Sequence, residues 1–328
     1  MSDDRDQIIQ TLLTERDELK LHCARLQGYL DQRGFPPGHF YSPVVDIDDI
    51  FVHTAVKERL SMPAPAGIEW DEQKCAGLMT ELSVHYPLFP FPRTGTEAFR
   101  FYYENPFFGV HDAIVLFCFL LECAPKRVIE VGCGFSSRLL LDVDQRFFGG
   151  KLDLVFIDPA ASTVLGAMGD VGGNVRILSS PIQAVDDELF DRLEENDILF
   201  VDSSHVAKTG SDVNHYLFRV LPRLRPGVLI HIHDIFYPFE YLDTWVLDYH
   251  RSWNEAYALK AFLQYNSRFR IVYWNNFAYH RCASRLKELM PLCLENEGGS
   301  IWIRKGYATS SDQGDAKRDR SGARPASG

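Results

Sequence analysis

An α/β fold, with a parallel sheet covered by helices on both faces, follows from three observations on this 328-residue chain. From Lys126 onward, short Val/Ile/Leu runs alternate with stretches of helical period. The runs are apolar throughout instead of alternating, which marks strands buried on both faces. Strand–helix alternation makes such strands parallel, and the arrangement doubly wound. The expected strands are Arg127–Val131, Leu152–Ile157, Val175–Leu178, Asp197–Val201 and Val228–Ile232, with two more at Phe269–Trp274 and Ser300–Arg304. Helices are expected near 136–147, 161–168, 186–195, 212–224 and 253–265.

The segments before Lys126 read differently. Ile9, Leu12, Arg16, Leu19, Cys23, Leu26 and Leu30 recur at alternating spacings of three and four, a heptad seam with one charged defect at Arg16. Gly34 and Pro36-Pro37 end it. One amphipathic helix lying on the body, or a short coiled coil joining two chains into a homo-oligomer, both fit. Residues 38–107 are rich in proline and aromatics (Phe89, Phe91, Phe99, Phe101, Tyr102, Tyr103), with a helix expected over Asp71–Val84. They are too apolar for a linker and are expected to form a cap. The expected organisation is a helix over 1–34, a cap over 35–107, an α/β domain over 108–305 and a disordered Ser/Gly/Asp/Arg-rich tail over 306–328.

Composition narrows the function. A net charge of −11 argues against nucleic acid or a membrane surface as partner, since both call for a basic footprint. The most apolar stretch, Ala113–Cys123, is too short to span a bilayer. Seven scattered cysteines without a C-x-x-C pair suggest reduced thiols, and the acidic N-terminus is unlike a signal peptide; a cytoplasmic protein is expected.

Chemistry-bearing residues gather where the strands end, which is where open α/β sheets bind ligands. The first strand runs into Glu130-x-Gly132-x-Gly134-x-Ser136, a tight turn that brings backbone N–H groups and a helix N-terminus to a ligand. Ser137 stands where a dinucleotide fold keeps its third glycine beside a pyrophosphate, which tilts the ligand away from a dinucleotide. Asp158, 24 residues after Gly134, ends the second strand, where a carboxylate can hold a ribose diol. The fourth strand ends in Asp202-Ser203-Ser204-His205, the fifth in His231-Ile232-His233-Asp234. Carboxylates so close need a cation, a proton or a donor between them. One account is a Mg²⁺-type site at Asp202, His233 and Asp234 with His205 as general base. His231 is expected to be an ordinary buried histidine. Ser211 or Asp212 is the expected N-cap of the next helix. The aromatics of Phe236–Tyr241 could stack on a sugar or pack on the core.

Taken together, Val128–Ser137, Asp202–His205 and His233–Pro238 resemble class I S-adenosylmethionine-dependent methyltransferases of polysaccharide and natural-product biosynthesis. The resemblance covers about residues 100–304. It implies S-adenosylmethionine bound by Glu130, Gly132, Gly134, Ser136, Ser137 and Asp158, and a Rossmann-like sheet of seven strands with the last, Ser300–Arg304, antiparallel. Asp202 and His205 match the Asp-x-x-His stretch of the similar metal-dependent sugar O-methyltransferases, which implies O-methylation of a sugar, polysaccharide precursor or natural product. Two departures stand out. His233 occupies a position that is acidic in those enzymes, and Asp158 is shorter than the Glu more common there. An NAD-dependent oxidoreductase or epimerase is the competing enzyme reading, although neither a third glycine nor a Tyr-x-x-x-Lys relay is evident. A non-catalytic scaffold partner, assembled through the heptads, is the other.

Overall fold

The computed structural model describes residues 2–31, 34–169 and 171–307. The expectation of a disordered tail over 306–328 lies, from residue 308 on, outside the described residues. The chain divides into two compact units, one formed by Met1–Lys57 with Asp243–Ser252, the other by Glu58–Leu242 with the chain from Trp253 on.

The first unit contains α1 (Ser2–Asp31) and α2 (Ile50–Lys57). Within it the Val45 amide donates to Ser252 Oγ at 3.3 Å, and the Arg251 guanidinium lies 4.3 Å over the Trp245 ring. In α1 the seam residues Ile9, Leu12, Leu19 and Leu26 are 44–65% exposed.

The second unit is a seven-stranded sheet with helices around it. Its strands are β1 (Arg127–Val131), β2 (Asp153–Ile157), β3 (Val175–Leu178), β4 (Ile198–Val201), β5 (Leu229–Ile232), β6 (Phe269–Trp274) and β7 (Ile301–Lys305). They lie in the order β3-β2-β1-β4-β5-β7-β6. The first five are parallel, and β7 runs antiparallel between β5 and β6. The order reverses between β1 and β4, which opens a crevice at their carboxyl ends. β4 and β5 are buried at every position, the apolar run of β5 being interrupted only by His231.

The flanking helices are α3 (Glu72–Leu82), α4 (Val110–Cys123), α5 (Phe135–Val143), α6 (Ala161–Gly166), α7 (Asp212–His215), α8 (Leu221–Arg223), α9 (Glu255–Leu263), α10 (Asn275–Arg281) and α11 (Ala283–Leu289). Every residue of α4 from Val110 to Leu120 is buried, as expected of a helix apolar on all sides. Its one carboxylate there, Asp112, accepts from the Gly299 and Ser300 amides at 3.0–3.1 Å and so anchors the start of β7. The aromatic segment is fixed in the same way. Asp142 on α5 accepts from the Arg100 and Phe101 amides at 2.7 and 2.9 Å, while Phe89, Phe91, Phe101 and Phe117 form an edge-to-face stack.

Three expected helices differ in form; the stretch 136–147 is α-helical only to Val143 and continues as a π-helical turn over Asp144–Phe148. The stretch 186–195 is only a 3-10 turn over Asp187–Arg192, capped by Asp186 and ended by extended Leu193. The stretch 212–224 is broken by a π-helical turn at Tyr216–Val220 between α7 and α8. Ser211 is the cap, its Oγ accepting from the Asn214 amide at 3.2 Å. No described helix is long and apolar enough to cross a membrane.

Candidate active site

The turn after β1 is built on close backbone approach. Gly132 has φ +88°, and a Cβ there would lie 1.6 Å from the Asp202 carbonyl oxygen. Only glycine lets this turn pass beside the end of β4. A Cβ at Gly134, by contrast, would meet nothing within 4 Å, because Gly134 borders open space. That space is a cavity of about 370 Å³ bordered by Phe108, Gly134, Phe135, Met168 and Asp202, within the range of small-ligand pockets.

Glu130, Ser136 and Ser137 lie beneath the turn. Glu130 is fully buried, and each of its carboxylate oxygens accepts from one serine hydroxyl at 2.5 Å. Burial pushes this carboxyl up to about 8, against those hydrogen bonds. Ser137 Oγ also accepts from the Gly134 amide at 3.0 Å, capping α5 from the position a third glycine would occupy. Asp158 reaches the turn from β2: its carboxylate accepts from the amides of Cys133 at 3.3 Å and Ala160 at 2.6 Å.

The second cluster stands at the ends of β4 and β5. His205 Nε2 lies 3.4 Å from Asp202 Oδ1 and 3.4 Å from Asp234 Oδ2. Both His205 and Asp234 have φ +59°, a left-handed conformation uncommon outside glycine. His205 Nδ1 is 2.8 Å from Glu255 Oε2 at the start of α9, and Glu255 Oε1 accepts from the Tyr216 hydroxyl at 2.6 Å. The Trp253 ring lies 4.3 Å from the imidazole. One imidazole thus faces three carboxylates. Burial works against its charged form, but Asp202, Glu255 and Asp234 outweigh that and hold its pKa well above the ordinary value. Asp202 would be raised by burial, yet His233 and His205 bring it down to about 2. Asp234 is pushed up to about 6 by burial, against the same two histidines.

The residues that cluster most closely differ by one member from the trio expected to hold a metal. Asp202, His205 and Asp234 each offer a ligand atom within 4.8 Å of the others, and they are the one such group among the described residues. His233 lies outside it. Its Nε2 faces Asp234 Oδ1 at 3.5 Å, its Nδ1 is 3.3 Å from Ser300 Oγ, and its ring packs 5.3 Å from Phe108. His231 is fully buried, stacked 3.7 Å from Phe200, with Nε2 at 2.7 Å from Ser300 Oγ. Phe236, Tyr237, Phe239 and Tyr241 are buried. Tyr237 and Phe239 pack on Trp274, which favours the core reading of that stretch.

Sequence reading passed over Glu255, Tyr216, Trp253, Ser300 and Phe108. A signal existed only for Phe108, one of many aromatics before α4.

A methyltransferase-domain family matches residues 129–235, from β1 to just past β5. An uncharacterised protein of Archaeoglobus fulgidus is 30% identical over 165 residues, 49% of this chain and 75% of that protein. Among solved structures, a proposed O-methyltransferase from Klebsiella pneumoniae aligns at 13% identity over 73% of this chain and 92% of that one, with a TM-score of 0.38. PKMT2 from Rickettsia typhi in complex with AdoHcy aligns at 11% identity over 57% and 50%, with a TM-score of 0.33. These two likenesses are too distant to bear on the chemistry. The domain match spans the glycine turn, Asp158, Asp202 and Asp234, so residues 129–235 of this chain form a methyltransferase domain.

Proposed function

We propose that this methyltransferase acts on a hydroxyl of a sugar, polysaccharide precursor or natural product, with His205 as the general base. One observation carries the reading. Asp202 borders the cavity of the glycine turn and also faces His205, so cofactor cavity and imidazole share a wall.

The turn suits S-adenosylmethionine. Gly132 lets the turn pass close to β4, Gly134 leaves room at the helix N-terminus, and Asp158, at the end of β2 beside the turn, would take a ribose diol, with no pyrophosphate to accommodate. Glu130, Ser136 and Ser137 support the turn from below, a positioning role. The sulfonium methyl is already electrophilic. The protein therefore has to align acceptor oxygen, methyl carbon and sulfur, and to take up one proton.

His205 has the geometry for that proton. Glu255 fixes the ring through Nδ1, leaving Nε2 toward the crevice. The carboxylates of Asp202, Glu255 and Asp234 hold the imidazole pKa well above its ordinary value against burial, so positive charge placed on Asp202 and Asp234 would favour the neutral base. The neighbouring carboxylates of Asp202 and Asp234 suit a divalent ion such as Mg²⁺ or Mn²⁺. Shared by Asp202 and Asp234, such an ion would supply that positive charge and would lower the pKa of an acceptor hydroxyl.

The test is a mass-spectrometric search of cell extract incubated with the protein and S-adenosylmethionine, with and without EDTA. The expected result is a product one methyl heavier, on oxygen, diminished by EDTA. A methylated nitrogen or carbon would overturn the hydroxyl assignment. A product unaffected by EDTA would overturn the metal.

A further inference from the structure

We propose that a second copy of this chain covers α1, as a parallel, in-register, two-stranded coiled coil with Cys23 facing Cys23 of the partner. With Ile9 at heptad position a, the a positions are Ile9, Arg16, Cys23 and Leu30, and the d positions are Leu12, Leu19 and Leu26. An isolated helix gains nothing from such a seam. The described apolar side chains of the seam are nevertheless exposed, and Cys23 with them. From Ile9 to Leu30 the seam is about 32 Å long at 1.5 Å per residue, three heptads or about six helical turns.

The flanking charges choose the occupant. Glu15 falls at g and Lys20 at the following e. In a parallel in-register pair, g of one helix meets the next e of the other, so Glu15 and Lys20 attract twice across the dimer. An antiparallel pair sets g against g and e against e, and loses both attractions. Leucine at every d position with Ile9 at a favours two strands, and a charged Arg16 at a single a position selects one register. An anionic membrane is a poor occupant. The helix carries seven acidic against four basic residues, whereas interfacial helices are basic on their polar face.

The arrangement places Cys23 of one chain opposite Cys23 of the other, at the shared axis. Cys75, Cys118, Cys282 and Cys293 are buried, so Cys23 is the exposed thiol among the described residues. Oxidation by diamide then joins the two chains: each thiol gives up one hydrogen, one S–S bond forms, and diamide is reduced to its hydrazine.

Sedimentation equilibrium of the full chain should approach twice the 37.5 kDa chain mass as concentration rises. Leu19→Asp with Leu26→Asp should weaken association by about 100-fold or more, while S-adenosylhomocysteine binding stays unchanged. Diamide should convert the wild type, but not Cys23→Ser, to a covalent dimer on a non-reducing gel. A monomer at all concentrations overturns the proposal, and so does a trimer or a dimer that survives the two aspartates. A dimer lost with the aspartates but not linked through Cys23 overturns the parallel register. These outcomes are independent of the catalytic reading, since neither the seam nor Cys23 belongs to the site.

Discussion

The turn after β1 and the centre at the ends of β4 and β5 stand at neighbouring strand ends, yet they handle buried acid in opposite ways. Under the turn, Glu130 is surrounded by low-dielectric protein and two serine hydroxyls, with no cation beside it. Its stable state is the neutral acid, with a pKa near 8. In the centre, Asp202, Asp234 and Glu255 all face His205, an imidazole whose charged form they favour. The difference teaches what each region is for. A neutral, fully hydrogen-bonded turn is a rigid support. A cluster with more carboxylates than cations is poised to take up a cation or to pass on a proton.

Gly132→Ala attacks the first region at its tightest point and carries the largest expected effect. The new Cβ would collide with the Asp202 carbonyl at a φ that alanine resists. Affinity for S-adenosylhomocysteine by calorimetry should fall by about 100-fold or more, roughly 3 kcal/mol, and unchanged affinity would break the account of the turn. Asp234→Asn attacks the second region. Methyl transfer should fall by about 100-fold and its response to Mg²⁺ or Mn²⁺ should vanish, whereas cofactor affinity should hold within a few-fold.

Glu255→Gln is a gentler probe, read in the rate–pH profile. The base works only when neutral, so the rate falls as pH drops through the imidazole pKa. Removing the Glu255 charge takes away one of the influences that raise that pKa, so the acid limb should move to lower pH. A shift to higher pH, or none, would contradict the arrangement. Glu130→Gln carries the smallest effect, on stability alone. The folded carboxyl titrates near 8 against 4.5 for a free one, so the folded state holds the extra proton between those values. Stability is therefore lost as pH rises across that window. The glutamine variant should lose less stability across it, seen as a flatter plot of melting temperature against pH.

The same contrast governs how much was legible in the sequence. The strands were, because a short unbroken apolar run such as Ile198–Val201, between helical stretches, reads as a buried strand. The glycine turn was too, since Gly132 and Gly134 answer to backbone geometry recorded locally. Asp202 and His205 could be found because they stand three positions apart. Glu255 could not: it comes 50 residues after His205 and reads as an ordinary acid in the first turn of α9. Ser300 is equally silent, a small polar residue before β7 that two histidines approach from β5. That His205 and not His233 joins Asp202 and Asp234 in the candidate cluster has a similar cause. Both are near Asp234 in space, but the left-handed backbone at His205 and Asp234, invisible in sequence, decides which ring faces both carboxylates.

The most direct measurement takes His205→Ala and follows cofactor binding and methyl transfer on the same preparation. His205 belongs to the charged centre and not to the glycine turn. The account therefore predicts S-adenosylhomocysteine affinity within a few-fold of wild type and methyl transfer reduced by about 100- to 10,000-fold, the range for a lost general base. His231→Ala, which removes a buried stacked ring, should lower the melting temperature while keeping transfer per folded molecule. Methyl transfer that survives in His205→Ala as well as it does in His231→Ala would contradict the account.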